Sequence, residues 1–374
     1  MQAMGRHLRT ETIAIFAAIL SVTIAGYGTS VYLNNASAIW LITARRVGVT
    51  SVILAASTAI IFAVGYTHNG LGNEKQTLWN VLRRTVETLA LTIVYAISVG
   101  LLTAAAQMFI IDLIGRSFTT YQFAIVIFLA VVSGYAVYVQ AVMMNSRILA
   151  TLLPVFIISG VTVAGMLSDD PYWWKNNFSQ LGDRTTLGAT VFNYTLILGG
   201  VTMLIISYFA VSELITQHRL FERHLASEPE TREFMIRISV FATLLTAASI
   251  MFGAIGVFRY SPHHFLHNFF ARGIAVPMTA LMVGLPWFVK QFSRVFYAVS
   301  DAILVAIATA YLMWFRGYTT LTNVEAIAVM LFMGWFILFS RNIAALEADR
   351  FFALNNIPAD IVHEVGHSRL DAER

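Results

Sequence analysis

Cysteine is absent from the 374-residue chain. That excludes a disulfide framework, a thiolate metal centre and a cysteine nucleophile. Charge is scarce as well. Asp, Glu, Lys and Arg make up 12% of the residues, where soluble domains carry about a quarter. The net charge is only +4, and the basic residues are spread among short polar connections, so nucleic-acid binding is not expected. Proline is rare, at 7 residues, and three of them (Pro154, Pro277 and Pro286) fall inside apolar runs. No stretch is long and polar enough for a separate large soluble domain.

What is present is apolar: 58% of the chain is hydrophobic. Apolar runs fall near 12–33, 47–66, 86–114, 119–144, 148–167, 189–214, 234–258, 274–292, 295–315 and 324–341. Each is close to the ~20 residues that cross a bilayer as a helix. None shows the ~10-residue alternation of a membrane β-strand. The expected fold is therefore all-α: a polytopic integral membrane protein with about ten transmembrane helices. The first run follows Arg6, His7 and Arg9 and is too long for a signal-peptide core, so it is expected to be the first span.

Lysine and arginine set the expected orientation. With both termini cytoplasmic, sixteen of the 24 basic residues fall on the inner side and eight on the outer, as the positive-inside rule requires. The expected location is the cytoplasmic (inner) membrane. Arg45 and Arg46 fit this worst, and a re-entrant or interfacial segment between Asn34 and Ala44 would accommodate them. Three parts are expected: four N-terminal helices over 1–145, a six-helix membrane unit over 146–342, and a cytoplasmic tail over 343–374. No internal repeat is visible.

Two outer stretches carry unusual chemistry. The first, Ser168 to Asn193, holds Asp169, Asp170, Asn176, Asn177, Ser179, Asp183 and Asn193 beside Tyr172, Trp173 and Trp174. The second, Arg259 to Gly273, holds His263, His264 and His267. Trp and Tyr anchor membrane interfaces by themselves, so a purely structural reading competes with a functional one. Brought together, the two stretches offer two chemistries. In one, Ser179 is a nucleophile, His263 or His267 its base, and Asp169 or Asp170 the orienting group. In the other, a divalent metal sits at His263 and His267, which are i,i+4 neighbours if the stretch is helical, with carboxylate help from the first loop. Tyr172, Trp173, Trp174, Asn177, Asn193 and His264 would hold the substrate. A membrane lipid or glycolipid headgroup is the expected partner, and a homo- or hetero-oligomer is compatible with the sequence.

The run Pro171 to Gly182 (PYWWKNNFSQLG), then Phe192-Asn193 (FNYTLILGG) and the later histidines, resembles the bacterial membrane-protein family catalogued as domain of unknown function 998. The resemblance covers about residues 148–342 and leaves out the first four spans. More distantly, the chain is similar to the eukaryotic Frag1/DRAM/Sfk1 group, which remodels lipid anchors. That likeness implies lipid chemistry but carries over no catalytic role.

Two further features point elsewhere. Asp301 lies inside the ninth run, and an intramembrane acid is a functional candidate by default. With the proline-interrupted helices it would suit a transporter or permease. A non-catalytic assembly partner is the third reading. The tail contains His363-Glu364-Val365-Gly366-His367, formally a zinc-peptidase motif, but its polar, terminal setting favours chance occurrence.

Overall fold

The computed structural model describes residues 6–70, 78–221 and 228–355. Within them the chain is all-helical and has no strand. The long helices are α1 (Arg6–Asn35), α2 (Thr43–Gly70), α3 (Leu78–Ile114), α4 (Phe118–Val142), α5 (Ser146–Met166), α7 (Leu187–Phe221), α8 (Glu228–Val257), α11 (Arg294–Phe315) and α12 (Leu321–Asn355). Three shorter ones complete the order: α6 (Ser179–Asp183), α9 (His264–Gly273) and α10 (Ala275–Phe288). In hydrocarbon every backbone N–H and C=O must be satisfied within the chain, which leaves the helix as the economical choice for such runs.

Among the described residues, nine helical stretches are long and apolar enough to cross a membrane. One of them, Arg84–Val142, is 59 residues long and folds as α3 and α4 around a turn at Gly115–Ser117. Gly115 has φ +58° there, a left-handed conformation natural to glycine. Another, His264–Phe288, joins α9 to α10. This is the architecture of a multi-pass membrane protein.

Large apolar side chains such as Phe16, Phe128, Val276 and Val305 point outward, as lipid-facing residues do. The interior is held partly by small and polar side chains. Gln107 accepts from Thr50 Oγ1 at 2.9 Å and donates to Ser51 Oγ at 3.0 Å. Trp335 Nε1 donates to Ser300 Oγ at 2.9 Å. Helices α7 and α8 cross at backbone contact: a Cβ on Gly200 would lie 2.7 Å from the Gly253 Cα.

The largest buried apolar cluster includes Phe62 and Tyr95 as well as Phe156, Phe241 and Trp335, so it runs across the short connection at Asn145. Asn145 itself caps α5, its side chain accepting from the Ile148 amide at 2.9 Å. The segment after Asn35 holds a 3-10 turn at Ala38–Trp40. Arg45 is held there, stacked 5.1 Å over the Trp40 ring and donating to the Ile39 carbonyl. At the other end α12 continues to Asn355, past residue 343. The tail motif at His363, Glu364 and His367 lies outside the described residues.

Candidate functional site

Three connections meet at one end of the bundle: α5 to α7, α8 to α9, and α11 to α12. Each is tied to another by hydrogen bonds. The Thr322 amide donates to the Asn176 carbonyl at 3.2 Å. The Phe178 amide donates to Glu325 Oε2 at 2.7 Å. Asp183 accepts from the Ser261 amide at 2.6 Å and also from the Ser261 hydroxyl.

The first connection is built from local polar capping. Asp170 accepts from the Tyr172 amide at 2.9 Å across Pro171, and it pairs with Arg184 at 3.3 Å. Such an Asx turn is the usual product of Asp before Pro. Trp173 then turns inward. It packs on Phe178 at 5.6 Å between ring centroids and over Gly165, where a Cβ would sit 3.2 Å from its ring. Asn177 Oδ1 accepts from the Gln180 amide at 3.2 Å, which opens α6. Asn193 Nδ2 donates to the Gly182 carbonyl at 2.8 Å, which docks α6 on α7. Asn177 and Asn193 thus have structural work in this arrangement.

The result is that Ser179, the first residue of α6, lies against His267 of α9. Ser179 Oγ is 2.8 Å from His267 Nε2. His267 Nδ1 is 2.7 Å from the Phe258 carbonyl oxygen. A carbonyl can only accept, so Nδ1 carries the proton in the neutral ring, Nε2 bears a lone pair, and the Ser179 hydroxyl donates to it. This is the tautomer a general base for serine requires.

Phe258 directly follows α8, and the last carbonyls of a helix have no intrahelical donor. They also form the negative end of the helix dipole, where a cation is favoured by ~0.3–1 kcal/mol. The α8 terminus therefore stands where a carboxylate stands in a Ser-His-Asp triad. Tyr260 closes one side, its ring edge-on to His267 at 5.6 Å and to His264 at 4.5 Å. His267 is buried, Ser179 is half-buried, and His263 and His264 are exposed.

Several expected roles move. The group that orients His267 is the Phe258 carbonyl, not Asp169 or Asp170; Asp170 is committed to its own turn and Asp169 is exposed. His263 is the residue before α9, not a member of it, so it does not share a helical face with His267. Both nitrogens of His267 are engaged, and among the described residues no group of three or more His, Asp or Glu is placed to hold a metal ion. A metal at His263 and His267 has no support in this geometry. Trp173 is a packing residue, whereas Tyr172 and Trp174 are exposed and share the Lys175 ammonium, 4.5 Å and 5.6 Å from their rings.

Asp301 lies on the exposed side of α11, away from these connections. Pro154 and Pro286 sit inside α5 and α10 without ending either helix.

Sequence reasoning passed over Asp183, Ser261, Tyr260, Glu325 and the Phe258 carbonyl as site components. Glu325 had a signal, as an acid at the edge of an apolar run. A backbone carbonyl has none. No family model matches the chain, and no curated protein or solved structure matches it either.

Proposed function

We propose that this chain is a cytoplasmic-membrane protein that transfers or hydrolyses an acyl group of a lipid or glycolipid at the outer interface, with Ser179 as nucleophile and His267 as base. The observation that carries the reading is the Ser179–His267 contact, with the ring tautomer set by Phe258. Ten crossings with both termini inside follow if α3 and α4 each cross and α9 with α10 make one passage. The distribution of lysine and arginine supports that orientation.

In the first half-reaction Ser179 Oγ bonds to the ester carbonyl carbon as its proton passes to His267 Nε2. The ester C–O bond then breaks, and the leaving alcohol takes that proton. In the second half-reaction water or an acceptor hydroxyl gives its proton to His267, attacks the acyl-serine and restores the hydroxyl. The lipid assignment rests on the surroundings. Phe265 and Phe269 are exposed and stacked along α9, and Tyr172 and Trp174 are exposed beside Lys175, the composition of an interfacial belt.

The test is release of a fluorescent acyl chain from phospholipid in proteoliposomes of the full chain. Ser179→Ala should abolish release, and His267→Gln should slow it by about 10²–10⁴-fold. Release that is unchanged in both variants would show that the dyad is only a structural bridge.

A further inference from the structure

A second feature lies at the opposite end of the bundle. Helices α7 and α8 border a groove there of about 470 Å³, within the ~300–1,000 Å³ range of small-molecule sites. On the α8 side it is lined by two small residues, Ala242 and Thr246.

The α7 wall has two components. Leu204, Val211 and Ile215 are apolar, while Ser212, Thr216 and Arg219 recur at i, i+4 and i+7 and so form one polar line. Arg219 is exposed in the last turn of α7, where the apolar span ends, and among the described residues it has no acidic partner. From Leu204 to Arg219 the groove extends about 22 Å at 1.5 Å per residue. That is somewhat more than one leaflet of a ~30 Å hydrocarbon core.

We propose that this groove is a binding site for an anionic phospholipid of the leaflet opposite the Ser179–His267 dyad. The phosphate lies at Arg219, which offers a planar fork of donors to such a group. The hydroxyls of Thr216 and Ser212 meet the glycerol region, and one acyl chain lies against Ile215, Val211 and Leu204. The charge of Arg219 selects an anionic over a zwitterionic lipid. The site uses no residue of the dyad and stands independently of it.

The experiment uses the full chain in phosphatidylcholine nanodiscs that contain a trace of phosphatidylglycerol with a photoactivatable diazirine on one acyl chain. A phosphatidylcholine probe of the same chain serves as the comparison. The expected result is adducts concentrated on peptides of α7 and α8 that line the groove, with the anionic probe preferred. Arg219→Gln should remove that preference, a loss on the order of tenfold, the counterpart of one charge-assisted contact. Ala242→Leu should lower labelling by both probes, and each variant is checked for a monodisperse profile and unchanged thermal unfolding. Equal labelling by the two probes, adducts spread evenly around the bundle, or an anionic preference that survives Arg219→Gln would each overturn the proposal.

Discussion

Asp183 accepts two hydrogen bonds from Ser261, one from its amide at 2.6 Å and one from its hydroxyl. Asp183 closes the short helix that begins with Ser179, and Ser261 precedes the helix that carries His267. The pair therefore fastens together the two segments whose meeting forms the dyad.

Asp183→Asn should loosen that clamp without removing it, since an amide oxygen still accepts one bond. The expected cost is about 1.5–3 kcal/mol of stability, the range for hydrogen bonds to a charged group. Thermal unfolding in detergent measures it. The reaction of Ser179 with a fluorophosphonate should slow in the same variant.

Glu325 reaches across from α12 to the Phe178 amide, one residue before Ser179. Glu325→Ala leaves that donor unpaired and should cost roughly 1–3 kcal/mol. Glu325→Gln retains an acceptor oxygen and should recover most of the loss. Equal unfolding temperatures for the two variants would contradict this role.

The adjacent tryptophans should behave differently. Trp173 packs on Phe178 and Gly165, so Trp173→Ala opens a cavity and should destabilise by about 3 kcal/mol. Trp174 is 51% exposed, and Trp174→Ala should leave unfolding nearly unchanged while weakening attachment of lipid substrate. Unfolding curves for the pair, set beside acyl-release KM values, separate packing from substrate contact.

Gly200 is a third kind of site. A Cβ there would lie 2.7 Å from both the Cα and the amide nitrogen of Gly253. Backbone cannot move aside as a side-chain tip can, so Gly200→Ala should cost roughly 1–3 kcal/mol through overpacking. Reduced folded yield and a lower unfolding temperature are the measurements.

These predictions show what the sequence makes legible and what it does not. The helices are legible because each needs ~20 apolar residues, and the all-helical fold follows from that alone. The residue types of the site are legible too, since Ser179 and His267 stand in polar stretches between such helices. Their partners are less so. Asp169, Asp170 and Asp183 are chemically identical on paper, and only the path of the chain sets Asp183 against Ser261. The Phe258 carbonyl has no side-chain signature at all. The expected pairing of His263 with His267 assumed that one helix carries both, and α9 begins one residue too late for that. Trp173 and Trp174 read alike as interfacial anchors, yet a 3-10 turn at Trp173–Lys175 sends the first inward and leaves the second exposed.

The most direct test of the central claim is the site of fluorophosphonate modification in the 374-residue chain, read by intact mass and then by tandem mass spectrometry. The account predicts a single adduct on Ser179, absent in Ser179→Ala and formed far more slowly in His267→Gln. An unmodified Ser179 in folded wild-type protein, or modification at the same rate when His267 is replaced, would contradict it.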